Sequence, residues 1–202
     1  MALPRFSPGP ADHRDEVVGR RAVFLDRDGV INRAVVRGGK PYPPDSLEAL
    51  EILPGVAGAL DSLRAAGFLN VVVTNQPDVA TGKQRREIVE AIHQSLYVTF
   101  SLDAIKVCYH AEEEGCECRK PKPGMLLAAA REMNIDLARS FLVGDRWRDV
   151  GAAQAAGCRA LFIDYAYKEK RPDKPYVAVN SLAEAASFIL QSGACFPGEG
   201  TS

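Results

Sequence analysis

Residues Asp26-Arg27-Asp28-Gly29 follow directly on the apolar run Ala22-Val23-Phe24-Leu25, so a short buried strand ends by presenting two carboxylates two residues apart. In an open α/β sheet, reactive groups collect just beyond the carboxyl ends of the strands. Two acids held together there share a cation, separate their pKa values, or both, as a nucleophile and a general acid would. Three further segments fit the same chemistry. Thr74-Asn75-Gln76 offers a hydroxyl and two amides to a tetrahedral oxyanion. Arg119-Lys120-Pro121-Lys122-Pro123-Gly124 is a proline-stiffened basic loop leading into a helix N-terminus, a seat for an anion. Gly144-Asp145-Arg146-Trp147-Arg148-Asp149 holds a second acid pair, four residues apart. Singly, each also reads as a polar turn, a loop, a solvated charge run or an acid-rich helix start. Their joint occurrence, in the order acid pair, Thr-Asn, Lys, acid pair, points to phosphoryl transfer.

Cys108-x-His110 and Cys116-x-Cys118 supply three sulfurs and an imidazole, a closed tetrahedral set of the kind that binds structural Zn2+. Such an ion would pin the acidic 111–117 loop and fix the position of Arg119 and Lys120. The chain has five cysteines, an odd count, and clustering of this kind favours a metal over disulfides in a reducing compartment. Cys158 reads as a small core residue and Cys195 as a tail residue. His13 and His93 have no evident partner and receive no role.

The elements that must position these groups alternate in type. Strands are expected at 22–25, 70–74, 104–109, 141–144 and 159–163, and helices at 55–66, 83–98, 124–133, 147–156 and 182–191. Val71-Val72-Val73 and Phe141-Leu142-Val143 are continuous rather than alternating, as in strands buried on both faces. The fold class is therefore α/β: a Rossmann-like three-layer α/β/α sandwich around a parallel sheet. Residues 1–20 read as a flexible leader, 21–191 as one domain and 192–202 as a flexible tail. Lys plus Arg total 25 against 26 Asp plus Glu, which offers no basic field to a nucleic acid. No apolar run approaches the ~20 residues that span a bilayer, and the N-terminus lacks the apolar core of a secretory signal. The expected protein is a cytoplasmic monomer that engages neither nucleic acid nor membrane.

Asp26-Arg27-Asp28-Gly29, Thr74-Asn75, Lys120 and Gly144-Asp145-x-x-x-Asp149 resemble the four motifs of the haloacid dehalogenase-like phosphatases, over about residues 21–190. Thr74-Asn75-Gln76, Cys118-Arg119-Lys120-Pro121 and Lys122-Pro123-Gly124-Met125 are similar to the D-glycero-D-manno-heptose-1,7-bisphosphate 7-phosphatase branch, which also includes histidinol-phosphate phosphatases. The resemblance implies a Mg2+-dependent phosphomonoesterase with a zinc loop ligated by Cys108, His110, Cys116 and Cys118. It implies Asp26 as nucleophile, Asp28 as general acid and base, and Thr74 and Lys120 as holders of the phosphoryl oxygens. Mg2+ would sit on Asp26, the main-chain carbonyl of Asp28, and Asp145, with Asp149 orienting Lys120 or a water. Asn75, Arg119, Tyr42 and Arg146 are the expected substrate contacts. About forty residues separate Asn32 from the second strand and Asn75 from Lys120, so no cap domain is expected. Loops 33–46 and 111–117 alone would cover the mouth, with Arg33, Arg37 and Lys40 as a second anion site or simply an exposed basic hairpin. The chain departs from the branch at Pro77-Asp78 (usually Ser-Gly), Thr81 (usually Arg) and Arg146 (usually Lys), and its loop after Asn32 is longer. Those departures bear on the sugar more than on the chemistry. Histidinol phosphate, a nucleic-acid 3′-phosphate end and a non-catalytic phospho-ligand-binding role are the competing readings.

Overall fold

Strands with no polar face can only be buried between two layers, and the computed structural model, which describes residues 19–192, places them so. In chain order the elements are β1 (Arg21–Leu25), β2 (Val35–Arg37), β3 (Lys40–Tyr42), α1 (Val56–Ala65), β4 (Phe68–Asn75), α2 (Arg86–Thr99) and β5 (Ala104–Cys108). Then follow α3 (Gly124–Met133), β6 (Phe141–Gly144), α4 (Trp147–Ala156), β7 (Arg159–Ile163), β8 (Val177–Val179) and α5 (Leu182–Ser192). Six strands form one parallel sheet in the order β5-β4-β1-β6-β7-β8. Alternate residues of each strand feed two separate cores. Val23, Leu25, Val72, Val143 and Leu161 pack with α1, α2 and α5 on one face. Phe24, Val71, Val73, Leu142 and Phe162 pack with α3 and α4 on the other. This is the expected three-layer α/β/α sandwich.

The differences from expectation lie at the edges. β4 is longer than 70–74, because Phe68 and Leu69 are also buried and pair with β1. The helix expected from 83 starts at Arg86, because Lys83 and Gln84 give their N–H groups to the Asp78 carbonyl in the turn before it. β8 was not anticipated; its three residues carry a single buried side chain, Val179. β2 and β3 form a small antiparallel hairpin across Gly38-Gly39, pairing Val35 with Tyr42 and Arg37 with Lys40. That hairpin and the turn after β4 are the only insertions before α1 and α2 among the described residues, so no folded cap intervenes. Most of the expected leader and tail, with His13 and Cys195, lies outside the described residues. No helix among the described residues is long and apolar enough to cross a membrane.

Candidate active site

β1 sits between β4 and β6, where the chain reverses its direction of travel across the sheet. Crevices at such switch points are where open α/β sheets bind ligands. Leu25 pairs with both Val72 and Val143, and the Asp26 N–H donates to the Val143 carbonyl at 2.9 Å. The next residues of the three strands therefore meet: Asp26 from β1, Thr74 and Asn75 from β4, Asp145 from β6. Two glycines make the approach possible. Gly29 has φ +89°, and a Cβ there would stand 1.8 Å from Asp145 Oδ2. A Cβ on Gly144 would stand 2.1 Å from Asp149 Cβ. α4 begins only at Trp147, so Asp145 precedes it; the turn at Arg146, whose N–H donates to Asp149 Oδ2 at 2.9 Å, brings both acids together. Carboxylate oxygens of Asp26, Asp145 and Asp149 lie within 4.8 Å of one another.

Lys120 is the cation that the floor contains. Only 2% exposed, its ammonium reaches Asp26 Oδ1 at 2.9 Å, Asp149 Oδ1 at 2.5 Å and the Val73 carbonyl at 2.7 Å. The Asn75 amide clasps the main chain of Lys120 from both sides, accepting from its N–H and donating to its carbonyl, each at 3.1 Å. Asn75, expected as a substrate contact, lines the cavity and also braces Lys120. The two aspartates hold the Lys120 pKa above its ordinary value against the effect of burial. Burial pushes Asp26 up to about 6, with Asp149 and Asp28 adding to it and Lys120 opposing. Asp145 is raised well above its ordinary value by burial and by the neighbouring Asp26 and Asp149. Its Oδ2 accepts from the Tyr167 hydroxyl at 2.9 Å, while its Oδ1 is buried without a hydrogen-bond partner among the described residues. Three clustered acids against one lysine, all oxygen donors, with one oxygen unpaired, fit a hard divalent cation such as Mg2+.

Asp28 lies in a different environment. Arg27 donates to it from Nε and Nη2, Asn32 Nδ2 at 2.9 Å, and Gln76 Nε2 at 2.9 Å. Burial alone would raise its pKa, but Arg27, Asn32 and Gln76 hold it below the ordinary carboxylate value. The resting Asp28 is therefore ionised, the form a general base requires. Gln76 Nε2 also donates to Thr74 Oγ1 at 2.9 Å, which leaves the Thr74 hydroxyl proton free for an oxyanion. His93, expected to have no partner, lies 3.0 Å from Arg27 Nη1. The signal for it was the helical spacing of Val89, Ile92, His93 and Leu96, which sets His93 on the buried face of α2.

Above this floor opens a cavity of about 330 Å3. Lys40 and Tyr42 of the hairpin, Arg119 and Glu112 of the cysteine loop, and Arg146 all reach it. Arg33 and Arg37 do not line it; they pair with Glu51 and Asp45 on the surface, so the expected second anion site reduces to Lys40 and its neighbours. A third wall was missed. The segment after β7 brings Glu169 onto Arg146 and Tyr167 onto Asp145, and its Lys168 N–H bonds Gly39 of the hairpin at 2.8 Å. The Tyr165-Ala166-Tyr167 pair of tyrosines in an unassigned loop was the available clue.

Cys108 ends β5 beside Asn75, and its carbonyl accepts from Gln76 N–H at 2.7 Å, so the cysteine loop is tied to the floor. The Cys108, Cys116 and Cys118 sulfurs lie 3.2–3.6 Å apart, and His110 Nδ1 is 3.2 Å from Cys118 Sγ and 3.7 Å from Cys108 Sγ. An ion with Zn–S bonds of about 2.3 Å sets tetrahedral sulfurs about 3.8 Å apart. The four donors are gathered at nearly that spacing, and this donor set fits zinc.

A family model described as HAD-hydrolase-like matches residues 117–185, the stretch that holds Lys120, Asp145 and Asp149. D-glycero-β-D-manno-heptose-1,7-bisphosphate 7-phosphatase of Haemophilus ducreyi is 35% identical over 85% of this chain and 100% of its own. The enzyme of the same name from Vibrio cholerae is 41% identical over 86% of this chain and 98% of its own. The crystal structure of D,D-heptose 1,7-bisphosphate phosphatase from B. bronchiseptica, complexed with magnesium and phosphate, matches with a TM-score of 0.75 at 32% identity, covering 85% of this chain and 99% of that one. The chain is a haloacid dehalogenase-like phosphatase. Within that superfamily it belongs to the heptose-bisphosphate phosphatase branch.

Proposed function

We propose that this chain hydrolyses phosphomonoesters with Mg2+ through an aspartyl-phosphate on Asp26, and that its substrate is D-glycero-D-manno-heptose 1,7-bisphosphate, from which it removes the 7-phosphate. The observation that carries the reading is Asp26 at the floor of the cavity, 2.9 Å from the buried Lys120 and clustered with Asp145 and Asp149. Asp26, the Asp28 main-chain carbonyl and Asp145 would hold Mg2+, which when bound neutralises charge between a carboxylate and an anionic ester. Asp26 attacks phosphorus as the ester oxygen leaves; Lys120 and the Thr74 hydroxyl hold the non-bridging oxygens. Asp28 gives a proton to the departing alkoxide, then takes one from the water that cleaves the aspartyl-phosphate. Acid–base help of this kind contributes ~10^2–10^4-fold. An incoming phosphate beside Asp28 raises its affinity for a proton, which the carboxylate takes from solvent as the substrate enters and then passes to the alkoxide. Zn2+ on Cys108, His110, Cys116 and Cys118 would hold the loop that carries Arg119 and Lys120.

The mouth supports a sugar with a second anionic group. Lys40, Arg119 and Arg146 line it, with Tyr42 beside them, and the relatives from Haemophilus ducreyi and Vibrio cholerae are named for the same bisphosphate. The test is Mg2+-dependent phosphate release from both anomers of the heptose bisphosphate, from histidinol phosphate and from a 3′-phosphorylated oligonucleotide. The heptose bisphosphate should give the highest kcat/KM, and Asp26→Asn should lower turnover on the order of 10^4-fold or more. Preference for histidinol phosphate would overturn the substrate, and turnover retained by Asp26→Asn would overturn the mechanism. Protein purified without chelator should contain one zinc per chain by elemental analysis; none would remove the zinc reading.

A further inference from the structure

Arg27 is among the largest fully buried side chains of the molecule, and a buried guanidinium needs a partner for each N–H it can no longer give to water. Nε and Nη2 go to Asp28. Nη1 goes to Nε2 of His93, 66 residues along the chain on α2. A guanidinium has only donors, so the ring must offer a lone pair, and His93 Nε2 is unprotonated. Burial and Arg27 together push the His93 pKa down to about 3, in keeping with a neutral ring.

The choice of histidine on an otherwise aliphatic stripe (Val89, Ile92, Leu96) has a physical logic. A leucine there would leave a guanidinium N–H unbonded in the core. A carboxylate would draw the Arg27 charge away from Asp28. A neutral acceptor fixes the plane of the guanidinium and leaves its charge to Asp28.

We infer that His93 is a positioning residue for leaving-group protonation: it anchors Arg27, and Arg27 in turn aims the Asp28 carboxylate at the ester oxygen. The inference rests on the phosphatase reading above and adds to it a residue outside the cavity. It concerns one step, the transfer of a proton from Asp28 to the oxygen of the breaking P–O bond. An alkoxide leaving group needs that proton, whereas p-nitrophenolate departs as a stable anion without it. The effect should therefore depend on the ester, which a general weakening of the fold would not produce.

The experiment compares kcat/KM, which reports steps through departure of the leaving group, for p-nitrophenyl phosphate and for the sugar phosphate that the unmodified protein cleaves fastest. His93→Leu should lose about 10- to 100-fold on the sugar ester, a part of the general-acid contribution, and less than about threefold on the aryl ester. His93→Gln, which keeps a neutral acceptor near the Nε2 position, should restore the sugar ester to within a few-fold. His93→Glu, of the same shape, should not. The Gln and Glu pair decides the matter even if His93→Leu does not fold. Equal losses on both esters, or Gln and Glu variants of equal activity, would overturn the role of His93 alone. An unmodified protein inactive on both esters would overturn the phosphatase reading and this inference with it.

Discussion

The floor of the cavity and its mouth are built by opposite means. On the floor, Asp26, Lys120, Asp145 and Asp149 are each 7% exposed or less, and every one is held by a strand end, a glycine or another buried group. At the mouth, Arg148 pairs with Glu112, a carboxylate that is 65% exposed. Exposed pairs of that kind contribute about 0–1 kcal/mol and rearrange at little cost. Buried ones cannot lose a partner without leaving a bare charge in the core. The reaction is therefore fixed by the fold, whereas the choice of ester rests on groups that can be exchanged. Of the positions expected to depart from the branch, Pro77, Asp78 and Arg146 line the cavity, whereas Thr81 does not.

The sharpest way to break this contrast is to remove the floor's one cation. Lys120→Met leaves Asp26 and Asp149 without their shared ammonium. It should destabilise the protein by about 3–5 kcal/mol, read by denaturant unfolding, and abolish turnover. A variant of unchanged stability would mean that the floor is not held together by charge.

Most of the floor was legible in the sequence, and the reason is local. The Asp26-x-Asp28 pair stands directly after four buried apolar residues, so the strand and its terminus are written in one stretch. Pro123 and Gly157 punctuate α3 and α4, which is why their expected limits coincide with those observed. What stayed hidden depends on contacts between distant segments. Nothing near His93 announces Arg27, and the tyrosines of Tyr165-Ala166-Tyr167 mark their loop without naming Asp145, 22 residues from Tyr167, as the partner. β8 carries too short an apolar pattern to register, and Arg85 provides no capping side chain to mark the start of α2. Walls made of loops have no period to read.

A smaller effect sharpens the contrast through pH. In the Mg2+-free protein burial pushes the Asp26 pKa up to about 6, and Asp145 is raised as well. Raised carboxyl pKa values favour the folded state below about pH 4 and lose that contribution as pH climbs through about 6. Dialysis against Mg2+-free buffer, which spares the zinc set, should therefore leave this cluster destabilising at about pH 7.5 relative to about pH 5. Added Mg2+ should raise Tm by several degrees at the higher pH and by little at the lower, since protons and cation compete for the same oxygens. Equal shifts at both pH values would show that the cluster is not the Mg2+ seat.

The smallest expected effect tests the mouth where it touches the floor. Glu169 holds Arg146 by two hydrogen bonds, which ties up a guanidinium that faces the cavity. Glu169→Gln weakens that half-buried pair, whose side chains are 32% and 14% exposed, and frees the Arg146 charge toward the cavity. KM for a bisphosphate should fall up to about fivefold, KM for a monophosphate should fall less, and kcat and Tm should hold. Tyr167, two residues away, donates to Asp145 from the same segment. If Glu169 also keeps that segment in place, its loss would loosen Asp145, and kcat and Mg2+ affinity would drop together. That outcome would break the division between floor and mouth at this wall, because one loop would then be serving both.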